Sequence, residues 1–410
     1  MRMLLCYEFK KLFLKPSIII ILIFLLFVDV IRINMVYKEK GLFSEQNNAN
    51  WRDAYWDCYE EYGGKITKEK AEQLNLIYEN IKQKIADHTL STNYDKDSYT
   101  YNAYSDEIFF RWCLWTEYFY DYDYEDFANE IVSTAKKHYD RAKKSGNDYM
   151  CWKQVKIANV FAGRKIDEYQ YTEKYFYFLQ YDFSCFLLLL FFVYALSSVF
   201  VIEKETEMDL LLTTTSKGGH KTALAKLITS CLLVISVSIL FWITDYIAFS
   251  IMFKSFSSNH AWLYSLENFK HTPLNLNLIQ YTLLSDAIKT FGLVVFSMFF
   301  ILLSAILRKI LYVLIAASTT AYLILLSYDF LPYWIKSIVE YINPTTLLQN
   351  RSLFTSTIFV NVFGYPLPAY ILTLLCETVL AIILIFLIFK SCKKNQWVKL
   401  LGRKTVRWKY

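Results

Sequence analysis

Long uncharged apolar segments constrain this sequence more than any other feature. Four segments of 18 to 20 residues contain no charged side chain: Phe183–Ile202, Leu227–Thr244, Thr290–Leu307 and Ile310–Tyr328. A helix needs roughly 20 mostly apolar residues to cross a hydrocarbon layer about 30 Å thick. Hydrophobic residues make up 55% of the chain and charged residues 20%. This composition excludes a soluble enzyme, a disordered chain and a small disulfide-stabilised scaffold, so we expect a polytopic membrane protein.

Two further segments are apolar but carry charged residues. Ser17–Tyr37 contains Asp29 and Arg32, and Ala369–Phe389 contains Glu377. A single acid is tolerated in a span when it faces the protein interior. The first segment lacks the small-residue cleavage site of a signal peptide, so we interpret it as an uncleaved span. We therefore predict an all-α fold with six transmembrane helices, at residues 17–37, 183–202, 227–253, 287–307, 310–328 and 369–389.

Basic residues in the connecting segments predict the orientation of these helices. Residues 1–16, 203–226, 308–309 and 390–410 contain eighteen Lys and Arg, whereas 254–289 and 329–368 contain five. The basic side of a membrane protein faces the cytoplasm, so both termini are expected there. The same charge indicates contact with anionic lipid and not with nucleic acid. The many aromatic and few Gly and Pro residues fit a bacterial origin, and we expect the bacterial plasma membrane.

The long connection at residues 38–175 is expected to form a large, mostly helical extracellular domain. It carries 25 acidic and 20 basic residues, although the whole chain has a net charge of +6. Apolar residues recur with helical spacing over residues 66–85, 127–142 and 151–161. The segments 254–286 and 329–368 are then outer loops. Cys58, Cys113 and Cys151 lie in this domain, and an odd number allows at most one disulfide bond.

The same domain is rich in aromatic residues. It holds a tyrosine-rich acidic cluster at residues 118–126, and residues 37–175 contain 18 of the 33 Tyr and five of the ten Trp. Such a surface could bind a cationic amphipathic peptide by charge pairing and cation–π contacts. The residues that would then contact a substrate are Tyr120, Asp121, Tyr122, Asp123 and Tyr124. The alternative, which the sequence favours, is that these tyrosines pack in a domain poor in Leu and Val.

The sequence contains no recognisable catalytic, metal or cofactor motif. A nucleophile elbow, an HExxH motif and paired His or Cys ligands are all missing. Residues 216–222 superficially suggest a phosphate-binding loop, but His220 and Thr215 stand where that loop requires glycine. The chain is therefore not expected to bind ATP or to be an enzyme by itself. Energy for work would come from a partner or from an ion gradient.

Three acidic residues lie within predicted spans. Asp29 is near the outer end of its span, where we expect it to reach the membrane surface. Asp245 and Glu377 lie deeper and at similar depths. They could form a shared polar spot along a translocation path, because charged groups at this depth usually face a bundle interior or a watery path. Satisfaction of each acid by a nearby hydroxyl is the alternative.

The connection between the second and third spans, residues 203–226, has a distinctive order of residue types. Glu203, Glu205 and Glu207 are followed by three leucines, a hydroxyl-rich turn and a basic end. This order predicts a short amphipathic helix on the inner membrane surface that presents a charged face to a soluble partner. An ordinary interfacial linker is the alternative.

In this order of residues the chain resembles the membrane subunit of a type-2 ABC exporter. That family has an N-terminal elbow helix, six spans and a second-to-third-span loop with an acidic start, adjacent leucines, a Ser/Thr turn and a lysine. The matching residues here are Glu203, Glu205, Glu207, Leu210, Leu211, Leu212 and Lys226. The Gly-Thr and the Pro that are usual in this loop are absent. The resemblance implies an elbow helix within residues 1–16 and short helices in the loop 329–368.

The resemblance also implies partners and a function. Such a permease would pair with a second permease subunit and with an ABC ATPase subunit that binds ATP-Mg and hydrolyses it. The exported substrate would be an amphipathic peptide, such as an antimicrobial peptide, or a lipid or drug. Two alternatives stay open: a non-transporting membrane sensor or scaffold whose extracellular domain binds a ligand, and a gradient-driven transporter that uses Asp245 and Glu377. A lipid-modifying membrane enzyme is disfavoured, because polar residues do not cluster at one membrane face.

Overall fold

The structure is a computed structural model of the full chain. It describes residues 2–40, 50–86, 95–208, 219–253, 255, 258–330, 332 and 339–406. Within these ranges the chain is mostly helical, with two short antiparallel strand pairs. The predicted all-α membrane architecture is confirmed at this level.

The N-terminal half consists of two helices followed by an inserted helical domain. Its helices are α1 Arg2–Phe13, α2 Pro16–Lys40, α3 Asn50–Tyr62, α4 Lys68–Ala86, α5 Ala103–Phe109, α6 Thr116–Lys144 and α7 Asp148–Phe161. A π-helical turn, Phe110–Trp115, joins α5 to α6. Strands β1 (Gly64–Lys65) and β2 (Glu168–Tyr169) pair antiparallel, with Gly64 opposite Tyr169. We call residues 50–175 the inserted domain.

The C-terminal half contains most of the apolar helices. They are α8 Glu173–Phe178, α9 Phe183–Ser197, α10 Val201–Glu205, α11 His220–Met252, α12 Leu278–Ile306, α13 Ile310–Phe330, α14 Pro344–Leu348 and α15 Ala369–Val406. Single 3₁₀ turns lie at Ser258–His260, Leu263–Ser265, Glu267–Phe269 and Asn350–Leu353. Strands β3 (Phe359–Val362) and β4 (Tyr365–Pro368) form a hairpin immediately before α15.

Five segments of the described chain are long and apolar enough to cross a membrane. They are Pro16–Glu39, Glu173–Glu205, Lys221–Met252, Leu278–Ile306 and Ala369–Cys392. The part of α13 whose side chains are described, Ile310–Leu326, is a shorter apolar helix. Large apolar side chains on α2 point away from the protein, and Ile20, Ile23 and Phe27 are each more than 60% exposed. Exposed apolar surface of this extent is typical of helices that face lipid.

Helix α12 is the central element of the helix bundle. It contacts α9, α11, α13, α14 and α15. The helix begins at Leu278, where Asn277 and Gln280 form a capping box, and not at residue 287 as predicted. The predicted outer loop 254–286 is shorter as a result. Of the loop 329–368, in which short helices were predicted, residues 331 and 333–338 lie outside the described residues, and α14 supplies one short helix.

Gly292 allows α12 and α14 to approach closely. A Cβ atom at this position would lie 2.8 Å from Leu347 Cβ and 3.2 Å from Leu348 Cδ2. We expect Gly292→Ala to destabilise the protein by about 1–2 kcal/mol, because overpacking costs about 1–3 kcal/mol and improved helix propensity recovers about 1 kcal/mol. Thermal denaturation in nanodiscs measures the effect. Leu283→Ala, an exposed site on the same helix, is the control, and equal stability of G292A and wild type would contradict the close contact.

The inserted domain has a core built largely of aromatic side chains. Tyr55, Phe109, Phe110 and Tyr118 are fully buried, and Leu74 is among the few aliphatic residues beside them. The helices predicted over residues 66–85, 127–142 and 151–161 are confirmed as α4, part of α6 and α7. Aromatic rings here fill the space that Leu and Val fill in most domains. All three cysteines of the domain, Cys58, Cys113 and Cys151, are free.

Candidate functional site

The N-terminal helix is attached to the bundle by a buried cluster of charges. Glu203 accepts hydrogen bonds from Lys11 Nζ at 2.7 Å and lies 2.6 Å from Lys226 Nζ. Lys226 is 1% exposed and also donates to the carbonyl of Val199 at 2.8 Å. Glu8 is buried beside these residues, and burial raises its pKa. The cluster joins α1 to α10 and α11, since Lys11 and Glu203 are 192 residues apart in the sequence.

The residues after Glu203 cap neighbouring helices. Lys204 Nζ donates to the carbonyls of Ser304 and Leu307 at 3.1 Å each, at the end of α12. Glu205 Oε1 accepts from the backbone N–H of Ile310 at 2.7 Å, where α13 begins. Lysine at a helix C-terminus and glutamate at an N-terminus both stabilise the helix dipole. This segment therefore joins helix ends together.

Residues 203–226 were predicted to present a charged face to a soluble partner, but Glu203 and Glu205 bind groups within the protein instead. Glu203 is buried in ion pairs and Glu205 binds a backbone amide, because the bundle supplies partners from other helices. Glu207 is exposed and has a φ of 56°, and Met208 beside it is 50% exposed. Leu210, Leu211 and Leu212 lie outside the described residues. Glu207 is thus the predicted coupling acid that remains accessible to a partner.

Asp29 and Asp245 form a polar cluster inside the helix bundle. Tyr181 donates to Asp29 Oδ1 at 2.7 Å, and Ser184 Oγ lies 2.5 Å from Asp245 Oδ2 and 3.4 Å from Asp29 Oδ1. Asp29 is fully buried, so the prediction that it reaches the membrane surface is wrong. Tyr181, two residues before α9, donates a hydrogen bond to Asp29 inside the bundle, so this carboxyl group does not need to reach the membrane surface. For Asp245, the alternative prediction was that a nearby hydroxyl satisfies the acid, and the hydroxyl of Ser184 is in that position.

Glu377 has a different environment from Asp245. It is fully buried on α15, and neither carboxyl oxygen has a hydrogen-bond partner among the described residues. The shared polar spot with Asp245 is therefore not formed by a hydrogen bond. Lys289 is buried in α12 with its Nζ 3.6 Å from Asp182 Oδ1. Buried charges of this kind are costly in a membrane helix and usually have a role.

A pocket of about 530 Å³ lies where the inserted domain meets the bundle. Its lining comes from residues 111–121, from residues 169–177 that lead into α8, and from residues 265–267 between α11 and α12. Glu117, Tyr120 and Asp121 recur at the three- and four-residue spacing that places side chains on one helix face. The π-helical turn carries Arg111 and Trp112 into the same lining. Such turns are frequent at functional sites.

The pocket concentrates acidic groups in a partly enclosed space. Tyr169 donates to Glu117 Oε2 at 3.3 Å, and Tyr171 donates to Glu173, which is 7% exposed. Burial and the charge of Glu173 raise the pKa of Glu117 to about 8, although the Tyr169 hydrogen bond opposes this. Burial and the charge of Glu117 also raise the pKa of Asp121 well above its usual range. The site therefore favours either bound protons or a bound cation.

The raised pKa of Glu117 predicts a pH-dependent stability. Because the folded protein holds this proton more tightly than the unfolded chain, stability is expected to fall as the pH rises from about 4.5 to about 8. Glu117→Gln should reduce this slope and stabilise the protein by roughly 1–3 kcal/mol above pH 8. Thermal denaturation across this range measures it. Asp123→Asn, at an exposed acid of the same helix, is the control, and an equally steep slope in E117Q would contradict the prediction.

The five residues predicted to contact a substrate, Tyr120 to Tyr124, lie in different environments in the structure. Tyr120 and Asp121 line the pocket. Tyr124 is 1% exposed, stacks on Tyr264 with ring centroids 4.7 Å apart and donates to the carbonyl of Lys270. Tyr122 and Asp123 are exposed and lie outside the pocket lining. Five consecutive helical residues point in all directions, so they do not form a single surface.

Sequence reasoning missed Glu117, Glu173 and Trp112 as members of one site. The Glu117–Tyr120–Asp121 spacing on a predicted helix was the available signal for the first. No local pattern connects Glu173 to Glu117, because they meet only through the tertiary fold. No protein-family model matches this sequence, and no curated protein is similar to it at a significant level.

Proposed function

We propose that this chain is the permease subunit of an ATP-driven type-2 ABC exporter in the bacterial plasma membrane. The observation that supports it most is the junction of Lys11, Glu203 and Lys226. It joins an N-terminal helix, the segment after the second apolar helix and the start of the third. An elbow helix attached to the loop that receives motion from an ATPase is what this family requires.

The proposal includes six spans, with α13 as the fifth, and cytoplasmic termini. The inserted domain is then extracellular, at the opposite end of α2 from α1. ATP-Mg is bound by a separate ATPase subunit, and a second permease subunit completes the path. The exported substrate is amphipathic, and a cationic peptide fits the acidic aromatic pocket better than a neutral lipid or drug.

Glu207 tests the contact with the ATPase. Since Glu203 and Glu205 hold the fold together, replacing them would confound docking with stability. Glu207→Asn removes the charge and keeps a residue that tolerates a positive φ. We expect co-purification of an ATPase subunit from mild detergent with wild type and its loss, by about tenfold, with E207N.

The matched control for this experiment is Glu130→Gln, an exposed acid in the inserted domain. It should leave ATPase binding unchanged. The exporter proposal fails if wild type brings down no ATPase and shows no nucleotide-dependent activity. If E207N still co-purified with the ATPase, Glu207 would not be part of the docking surface, and the exporter proposal would be unaffected.

A gradient-driven transporter is the second candidate. The cluster of Asp29, Ser184 and Asp245 favours it, because intramembrane carboxyl groups are typical of proton pathways. This alternative uses Asp245 and Glu377, and Ser184 links Asp245 to Asp29 as an additional acid. Transport by reconstituted protein that needs a proton gradient and no ATP, and that is lost in Asp245→Asn, would support this function over the exporter.

A further inference from the structure

Asp121 is a buried acid without a partner in the described part of the chain. It is 5% exposed, and its carboxyl group lines the pocket between the inserted domain and the bundle. Burial and the charge of Glu117 both disfavour the ionised form of Asp121, and no hydrogen bond offsets them. A buried carboxyl group is costly unless a cation or donor approaches it. The pocket provides the space for such a group.

The mouth of the pocket is apolar and accessible. Trp112 is 63% exposed and Phe176 is 38% exposed, although both are large aromatic residues. Aromatic faces attract cations and also pack against apolar groups. Arg111, the cation of the lining, is directed to Glu107 at 3.4 Å. Arg111 therefore leaves the carboxyl group of Asp121 to bind a cation from outside.

We propose that this pocket binds the ammonium or guanidinium side chain of a cationic amphipathic peptide together with an adjacent apolar side chain. A volume of about 530 Å³ is typical of ligand pockets and accommodates side chains but not a whole folded peptide. The cation lies against Asp121 and Glu117. The apolar side chain packs on Trp112 and Phe176 at the mouth.

The position of the pocket links ligand binding to the membrane helices. Glu173 begins α8 within the apolar segment Glu173–Glu205, and residues 265–267 connect α11 to α12. A cation against Asp121 and Glu117 therefore lies beside the start of α8 and beside the connection between α11 and α12. That the bound peptide is the exported cargo rests on the proposed function, whereas binding itself does not require the ATPase.

The test is binding of a fluorescent synthetic peptide of lysine and leucine to the full chain in nanodiscs without anionic lipid. We expect Asp121→Asn to weaken binding about tenfold, and Asp123→Asn to weaken it less than about twofold. These two acids are on the same helix, but only Asp121 lines the pocket. A peptide with glutamine in place of lysine should not bind to wild type.

If D121N and D123N weakened peptide binding equally, the peptide would be attracted to the acidic surface as a whole, and the proposed binding pocket would be wrong. Unchanged binding in D121N would overturn it as well. Should D121N fold poorly, Trp112→Ala provides a second variant, because this exposed ring contributes little to the core. Binding that depends on Asp121 in a protein that recruits no ATPase would support the pocket and reject the exporter, leaving a ligand-binding membrane sensor.

Discussion

Replacing Glu203 with glutamine is expected to lower the free energy of unfolding by about 3–5 kcal/mol. The substitution keeps the shape of the side chain and removes its charge. Lys226 is 1% exposed and would then lack its carboxylate, with Lys11 as a like-charged neighbour. A buried cation without its partner is far more costly than the ion pair is stabilising. Thermal denaturation in nanodiscs measures the loss.

The same substitution should release α1 from the bundle. Phe13 and Leu12 lie in the bundle core, so release would expose apolar surface next to the membrane. Proteolysis near Lys11 should accelerate in E203Q and not in Glu207→Gln, whose side chain is exposed. Unchanged stability and proteolysis in E203Q would mean that α1 is held by apolar packing alone.

Replacing Arg164 with methionine is expected to destabilise the contact between the inserted domain and the bundle by about 2–5 kcal/mol. Arg164 is 3% exposed and donates to the carbonyls of Thr272 and Leu274 at 3.0 and 2.9 Å. Its guanidinium also lies over the rings of Phe161 and Tyr264, at 4.7 and 5.0 Å from their centroids. Methionine retains the apolar contact but leaves two carbonyls unpaired.

Hydrogen exchange distinguishes local release of this contact from global unfolding. In R164M the amides of residues 262–278 should exchange faster, while the core around Tyr55 and Leu74 should stay protected. Lys165→Met is the matched control, since its side chain is 55% exposed and pairs with Asp167, in the inserted domain itself. If R164M exchanged like wild type in this loop, the guanidinium would not be the clamp. The contacts of Lys156 with the Pro366 carbonyl and of Tyr120 with the Tyr264 carbonyl, each at 2.7 Å, would then carry the attachment.

Long apolar segments and the helical spacing of apolar residues were sufficient to predict much of the fold. The span at 369–389 and the helices of the inserted domain follow from residues within one segment, because hydrophobicity and helical periodicity are local properties. The bound at residue 287 was wrong for a physical reason. Asp286, directly before this bound, interrupts the apolar pattern without stopping a helix, and the capping box at Asn277 marks the actual start.

The packing interpretation of the tyrosines was also available from the sequence. A domain poor in Leu and Val has to bury other side chains, and Tyr55, Tyr118 and Tyr169 are indeed buried. The partners of the tyrosine hydroxyl groups depend on the tertiary fold. Tyr169 donates to Glu117 within the inserted domain, and Tyr120 donates to the carbonyl of Tyr264 at 2.7 Å where this domain packs against the bundle.

The sequence by itself determined that this chain has membrane-spanning helices, a helical insertion and a basic, glutamate-rich connection after the second apolar segment. Only the tertiary structure decided which charges meet. Lys11 and Glu203 are separated by 192 residues, and Asp29 and Tyr181 by 152. Whether a carboxylate faces a partner, an ion-pairing lysine or an open pocket depends on the distance between elements. Helix propensity and hydrophobicity add up along the chain, whereas electrostatic energy depends on separation in space.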